Sequence, residues 1–237
     1  MPGPGPGPGA GTSPGPIQSV SRAAAVLRLF ATGPCEFGLS DTAASLGLPK
    51  ATVHGILRTL QVEGLVEQDA TSGRYRLGAE LARLGGSYLQ RHELRARALP
   101  WADDLARTTG ETVRVGVPHS SGVLIVHHAL RPDDTRQLLQ TGTVVPVEGT
   151  ALGSALAPRE RAWTCAPEPA WSGLFSLAAP IHDSRTAVAA VSITGAAERI
   201  CVDGEVCGAL VSAVRNCAQA ISRELGAARP AAPFAQR

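Results

Sequence analysis

The sequence predicts an α+β chain in two parts, a helical front and a strand-rich rear joined by helix. Three observations carry this. Apolar residues recur at three- and four-residue steps from Ile17 to about Glu63, and glycines close each run. Beyond Gly110 the pattern turns to short strands separated by turns. The 237 residues suit two domains, since compact domains run to roughly 100–150 residues.

Residues 1–16 alternate proline and glycine with almost no side chain to bury, so a disordered tail is expected there and a second at 229–237. From Ile17 the first helix carries Val20, Ala23, Ala24, Leu27 and Phe30 on its apolar side, with Ser19 as its expected cap, and Gly33-Pro34 ends it. Ser40 and Asp41 open a short second helix that Gly47 closes. Pro49 stands at the first turn of a third, where its missing N–H costs nothing, and Gly64 ends that helix near Glu63. Leu65–Gln68, a turn at 69–73 and Arg74–Leu77 read as a hairpin.

A helix is expected from Ala79 to about Gln90 and another from Leu94 to Thr108, interrupted by Pro100. The rear strands are expected at Thr112–Val117, Val123–Ala129, Gln137–Gln140, Phe175–Ile181 and Ala187–Ile193. A small helix is expected at Ala151–Ala157 and a closing one from Val206 to Leu225. The resulting division is 17–78 for the front domain, 79–93 for a linker helix and 94–228 for the rear domain.

Composition narrows the function. The 44% apolar and 18% charged residues are near globular averages, and no apolar run approaches the roughly 18–20 residues that span a bilayer. With no basic-then-apolar leader the expected compartment is the cytoplasm, and the five cysteines are expected as reduced thiols. Lys50 is the single lysine beside 21 arginines. Residues 1–97 carry 10 basic against 7 acidic side chains and the remainder 12 against 13, so the front is +3 and the rear −1. That asymmetry points to a DNA-facing front, because phosphate contacts depend on local placement of cations.

On the third helix, 100° per residue puts Val53, Ile56, Leu57 and Leu60 on one stripe and Ala51, Gly55, Arg58 and Thr59 opposite, with Lys50, Thr52 and His54 on the flanks. A helix packed by an aliphatic stripe that turns small residues and cations outward suits a major groove. Arg74 and Arg76, straddling Tyr75, can lay a basic edge along the backbone. Each element alone is ordinary surface; their order, helix, short helix, tight turn, basic-faced helix and hairpin, is that of a winged helix-turn-helix.

Residues 17–30, 38–69 and 73–85 (IQSVSRAAAVLRLF, GLSDTAASLGLPKATVHGILRTLQVEGLVEQD and GRYRLGAELARLG) resemble the N-terminal domain of the IclR family of bacterial transcription regulators. Residues 149–156 and 177–200 (GTALGSAL and LAAPIHDSRTAVAAVSITGAAERI) resemble its effector-binding domain. The resemblance covers about 17–226 and implies a DNA-binding regulator, a repressor or an activator, that binds palindromic operators as a dimer or dimer of dimers under control of a small metabolite. It implies no catalysis and no cofactor. The DNA contacts it implies, together with those read from the wing, are Ser40, Lys50, Ala51, Thr52, His54, Gly55, Arg58, Arg74, Tyr75 and Arg76. Many members have Arg where Gly55 stands, a departure expected to change the preferred operator.

For the rear, the resemblance implies a GAF-like α+β fold whose effector contacts fall on Thr150, Ala151, Leu152, Gly153, Glu168, Ser176, Ser192 and Thr194. The lysine that commonly follows the first motif is Ser154 here, and a longer family segment is reduced to Arg159–Cys165, ahead of Glu168 and Trp171. Residues 92–111 and 122–137 are most similar to a subgroup that governs glycerol use, which implies glycerol or glycerol 3-phosphate as effector. A phosphate needs helix N-terminal N–H groups, as near Thr150, or an arginine such as Arg114 or Arg136. The shortened wall is expected to weaken that binding, and a sensor that responds to nothing stays open as an alternative.

The remaining constellations have plainer readings. His127-His128 with Asp133-Asp134 form the remote case for a metal-dependent enzyme, but neighbours on a strand point to opposite faces. Cys201, Cys207 and Cys217 lack a CxxC spacing and are expected to pack as small apolar residues. No GxSxG accompanies the Ser, His and Asp residues, which argues against a hydrolase. Leu81, Leu84, Tyr88 and Leu89 give the linker helix a face for pairing two copies.

Overall fold

The aliphatic stripe of the third helix organises the front of the chain. In a computed structural model, which describes residues 15–131, 139–157, 162–169, 172–183, 186–202 and 204–227, three helices form: α1 (Gln18–Thr32), α2 (Leu39–Leu46) and α3 (Lys50–Val62). Val53, Leu57 and Leu60 of α3 are buried with Val26 and Phe30 of α1 and Ala43 of α2. Gly47 closes α2 at φ +62°, the left-handed conformation that glycine adopts without strain. The N–H of Leu48 bonds back to the Ala43 carbonyl at 3.0 Å, so α3 starts only three residues after the turn.

Ser19 does not cap α1. The helix begins at Gln18, with Ile17 in the cap position and no side-chain cap, so Ser19 already lies inside the first turn. Strands β1 (Val66–Gln68) and β2 (Tyr75–Leu77) pair antiparallel as the hairpin, with Glu67 opposite Arg76. Tyr75 also exchanges two 2.8 Å backbone hydrogen bonds with Phe37, whose ring stacks on Phe30 at 4.9 Å between centroids. The hairpin is thereby fastened to the helical core.

Helix α4 (Ala79–Arg91) leads to α5 (Glu93–Thr109), and α5 continues through Pro100 where a break is expected from sequence. Proline removes one helical hydrogen bond, and the remaining turns of α5 pack Leu94, Ala98, Ala102, Leu105 and Ala106 into the core, which outweighs that loss. The chain forms two compact units that divide between Gly86 and Ser87, inside α4.

The rear unit is an antiparallel six-stranded sheet flanked by helices. Its strands are β3 (Thr112–His119), β4 (Gly122–Ala129), β5 (Val144–Val145), β6 (Thr164–Pro167), β7 (Leu174–Asp183) and β8 (Thr186–Ala196), in the spatial order β5-β4-β3-β8-β7-β6. Helices α5 and α8 (Gly208–Ala227) bury Val113, Val115, Leu177, Ile181, Val191 and Ile193 on one face. Helix α6 (Ala151–Leu156) covers Val123, Ile125, Ala178 and Ala190 on the other. A short helix α7 (Ala197–Ile200) and a hairpin of β9 (Cys201–Val202) and β10 (Glu205–Val206) precede α8.

The strand expected at Gln137–Gln140 is absent at Leu139 and Gln140, its other residues lying outside those described; β5 takes that edge instead. The Gln140 N–H is committed to the His128 ring at 2.9 Å, and Gly142 has φ +89°, so the chain turns where a strand would have to run straight. The tails fall outside the described residues except for Gly15 and Pro16, as do Asp133, Asp134, Arg136, part of 159–165, and Trp171.

A bulge in β4 sets which histidine faces which side. The β3 register pairs Val115 with His127 and Gly116 with Ile125, leaving Val126 as the extra residue. His127 therefore faces α5, its Nε2 2.9 Å from Asp103 Oδ1, while His128 faces the α6 side of the sheet opposite Arg114.

Leu57 is fully buried in the front core, so Leu57→Ala is expected to destabilise that unit by about 2–5 kcal/mol, read from urea unfolding of the front unit's helical signal. A loss under about 1 kcal/mol would mean that the stripe does not organise the core.

Candidate DNA interface and effector site

The outward face of α3 is basic and unpaired. Lys50, Ala51, His54, Gly55, Arg58 and Thr59 are exposed and Thr52 is half-buried, while Val53 and Leu57 face inward. Among the described residues Lys50, His54 and Arg58 have no side-chain hydrogen bond or ion pair. A Cβ on Gly55 would meet nothing within 4 Å, so the position is open surface between two basic side chains, with small residues permitting close approach. Ser40 is exposed in the first turn of α2, where the Asp41 carboxylate accepts the Gly38 N–H at 3.3 Å.

The hairpin is not a free basic edge. Tyr75 is 6% exposed, packed in the front core, and is therefore a structural residue and not the surface contact expected of it. Strand alternation explains it: Arg74 and Arg76 share the outer face, and the residue between them must face inward. Arg76 is held by Glu67 at 3.2 Å, and Arg74 donates to the Glu36 carbonyl at 3.2 Å with Asp41 at 3.6 Å. The wing cations are offset by carboxylates; those of α3 are not.

The second site lies on the α6 face of the rear sheet. Arg114, only 3% exposed, is bound through both terminal nitrogens. Nη1 donates to Gln140 Oε1 at 3.2 Å and Glu168 Oε1 at 3.3 Å; Nη2 donates to Glu168 Oε2 at 2.5 Å, Ser176 Oγ at 2.9 Å and Thr194 Oγ1 at 2.6 Å. Ser176 also donates to Glu168 at 2.5 Å and lies 2.7 Å from Thr194. The sheet register makes this possible: Arg114 stands opposite His128 on one side and Ser192 on the other, and Thr194 opposite Ser176. Within that row, among the described residues, Arg114 Nε, His128 Nε2 and Ser192 Oγ are buried without a hydrogen-bond partner.

Of the residues expected to bind the effector, Glu168, Ser176 and Thr194 accept from Arg114, and Ser192 stands opposite it in the sheet register. Thr150, Ala151, Leu152 and Gly153 begin α6 and are occupied in packing it. Thr150 Oγ1 accepts the Gly153 N–H at 3.1 Å and donates to the Pro146 carbonyl at 2.7 Å, while the Ala151 carbonyl accepts from Thr164 at 2.8 Å. A Cβ on Gly153 would lie 2.0 Å from the Val147 carbonyl oxygen, so glycine is required for α6 to seat. His128 and Gln140 are not legible in the sequence as part of the site. An arginine set between Val113 and Val115 in an apolar strand is its one visible signal.

Burial, with the positive charges of Arg114 and His127 nearby, pushes the His128 pKa down to about 4, so the ring is neutral at physiological pH. Nδ1 accepts the Gln140 N–H, which leaves the proton on Nε2. The two histidines serve different neighbours, and no group of three or more His, Cys, Asp or Glu among the described residues is arranged to hold a metal. Burial, with Cys201 beside it, raises the Cys165 thiol to about 11, and burial raises Cys217 to about 12, which keeps both from acting as thiolates. Cys217 and Cys201 pack against the rear core. Among the described residues no helix is long and apolar enough to cross a membrane.

A winged helix-turn-helix with unpaired cations on its third helix, followed by an α+β domain holding a buried polar site, defines a DNA-binding regulator with a sensor. The family comparisons agree: residues 19–70 match the IclR helix-turn-helix domain, and 86–158 with 156–223 match the bacterial transcriptional regulator IclR C-terminal domain. This chain belongs to the IclR family of transcriptional regulators.

The glycerol operon regulatory protein of Streptomyces coelicolor is 53% identical over 249 positions, covering 90% of this chain and 98% of its own. That of Streptomyces griseus is 51% identical with the same coverage. Among solved structures, an IclR family regulator from Brucella abortus superposes with TM-score 0.77 at 20% identity, covering 91% of this chain and 96% of that one, and shares the fold. The 249 aligned positions engage about 213 of the 237 residues here, so about 36 positions of the S. coelicolor protein face gaps in this chain. The C-terminal match breaks and resumes at 156–158, next to the reduced segment.

The neutral His128 also fixes a pH dependence. Its folded pKa lies below the unfolded value near 6.5, so between about 6.5 and 4 the unfolded chain binds more protons and stability falls as pH falls. Acidification through that window is expected to cost the rear unit up to roughly 3 kcal/mol, and His128→Asn to flatten that part of the urea-midpoint profile. An unchanged slope would assign the acid sensitivity to other groups.

Proposed function

We propose that this chain regulates transcription by laying α3 in the major groove of operator DNA, with Lys50, Thr52, His54 and Arg58 at the interface and Ala51 and Gly55 allowing close approach. Ser40 and the wing arginines Arg74 and Arg76 add phosphate contacts. The observation that carries this is the set of unpaired cations on the exposed face of α3. Exposed lysine and arginine left without carboxylate partners are free to displace the counterions of the phosphate backbone.

The regulated genes serve glycerol use and the chain acts as a repressor in the cytoplasm, a reading supported by the two Streptomyces glycerol operon regulators that align with it over nearly their whole length. Its effector is a small metabolite of that route, glycerol or glycerol 3-phosphate, held by the polar row around Arg114. Effector and operator are linked: only a difference in effector affinity between two arrangements of paired DNA heads changes operator occupancy. A second reading, a sensor without a ligand, is favoured by the missing positions near 156–158. The unsatisfied Arg114, His128 and Ser192 atoms weigh against it.

Two copies pair through α4, which has no buried residue and leaves Leu84 47% and Tyr88 49% exposed beside Leu81 and Leu89. Sedimentation is expected to give a dimer or larger, with Leu84→Glu and Tyr88→Glu shifting it to monomer; a monomeric parent would exclude pairing. Footprinting on the DNA around its own gene, repeated across salt concentrations, tests the interface. Lys50→Ala and Arg58→Ala are each expected to weaken operator binding and to reduce the log K against log salt slope by about 0.9 for each phosphate no longer neutralised. Slopes equal to the parent's in both variants would remove α3 from the interface.

A further inference from the structure

The polar row on the α6 face of the rear sheet contains both a neutralised charge and unmet hydrogen-bonding groups. Arg114 has five N–H donors, and both of its terminal nitrogens are taken by Glu168, Gln140, Ser176 and Thr194. Its charge is cancelled by the Glu168 carboxylate, itself 8% exposed. The single donor left to it is Nε. Across the sheet on either side of Arg114 stand His128, whose Nε2 carries the ring proton, and Ser192, and among the described residues Arg114 Nε, His128 Nε2 and Ser192 Oγ have no hydrogen-bond partner. His128 is 7% exposed and Ser192 fully buried. Three orphaned polar atoms on residues that neighbour one another in a buried row call for an occupant.

The chemistry of the row restricts that occupant. Two of the three groups are fixed N–H donors, and the serine hydroxyl donates or accepts. Adjacent strands lie about 4.8 Å apart, so the row spans three strands and asks for oxygens spread along a short chain. A phosphate or carboxylate is normally read by the two-pronged face of a guanidinium. Here that face is closed by Glu168, whose negative charge lies in the same cluster, and the imidazole is uncharged. A hydroxyl oxygen fits, since it accepts from N–H and donates to a serine.

We propose that this site takes a small uncharged polyol, with its oxygens on Arg114 Nε, His128 Nε2 and Ser192 Oγ, and discriminates against phosphorylated or carboxylated forms of the same carbon chain. The assignment rests on the reading of this row as the effector site, and it separates glycerol from glycerol 3-phosphate. Glu168 is the specificity-determining residue: it uses up the arginine's charge inside the protein.

Titration calorimetry of the full chain with glycerol and with glycerol 3-phosphate, at equal ionic strength and pH 7.5, tests this. Saturable glycerol binding is expected, weakened about tenfold by Ser192→Ala through loss of one buried hydrogen bond, with glycerol 3-phosphate at least tenfold weaker. Glu168→Gln is expected to reverse the order by returning a positive charge to the site. Tighter binding of glycerol 3-phosphate by the parent, sensitive to Ser192→Ala, would overturn the proposal while leaving the site where it is. Polyol binding indifferent to Ser192→Ala would overturn the row as the effector site itself. No heat from either compound at tens of millimolar would leave the row to water and overturn the polyol assignment.

Discussion

Arg114 carries a full charge into the middle of a β-sheet, and the α6 face of the rear domain is arranged around holding it. Removing a guanidinium from water costs several kcal/mol unless its partners are well placed. Glu168 supplies both carboxylate oxygens from just beyond the end of β6, where its own N–H bonds the Leu174 carbonyl at 2.8 Å and so closes the β6–β7 hairpin. Ser176 comes from β7 and Thr194 from β8, as register partners. A slip of one residue in either strand would turn its hydroxyl to the other face and leave part of the charge unmet. The pair thus specifies register as well as neutrality. The apolar alternation that packs α5 and α8 against the opposite face depends on the same register.

The front domain handles charge in the opposite way. Its stability comes from the stripe of Val53, Leu57 and Leu60, and the cations of α3 contribute nothing to the folded core. Exposed and unpaired, they cost little in water and keep their electrostatic potential for a polyanion. Arg76 is engaged by Glu67 on the neighbouring strand, and Glu67 also accepts the Ala79 N–H at 3.3 Å. That carboxylate anchors the wing to the start of α4, so the wing is oriented first and basic second. Where carboxylates sit, and where they are missing, separates the paired arginines of the wing from the unpaired cations of α3.

Much of this organisation is readable in the residues because it is local. The periodicity of α1 and α3, the Gly47 turn and the proline before α3 are signals contained within a few residues, and the helices stand where those signals put them to within a residue or two. The inward turn of Tyr75 is equally local, since strand alternation between two outward arginines dictates it; treating it as a contact gives charge more weight than geometry. The break expected at Pro100 does not form because tertiary packing along α5 outweighs one missing hydrogen bond. The Glu168–Arg114 pair spans 54 residues and the Thr194–Arg114 bond 80, separations over which no periodicity or motif speaks. The Val126 bulge, which decides that His128 and not His127 joins the site, exists only in the pairing of β3 with β4. Strands as short as β5, β9 and β10 have too few residues to show alternation.

If the polar row takes the uncharged polyol proposed above, that limits how the rear domain can speak to the front. A ligand without charge adds no field, and charges more than about 8 Å apart are in any case largely screened at physiological ionic strength. Under that proposal the coupling travels as a change in packing, beginning at the sheet and at α5, which lies on the sheet's other face and follows α4 in the chain. Its size is bounded by what the ligand can distinguish between the two arrangements. One or two hydrogen bonds made in one arrangement and absent from the other correspond to about 1–3 kcal/mol, a change of roughly 5- to 150-fold in operator affinity. For a ligand held as proposed, three orphaned groups in a single buried row are enough to supply a difference of that size, because a small shift of one strand against the next would move Arg114, His128 and Ser192 relative to one another and so alter every bond it made.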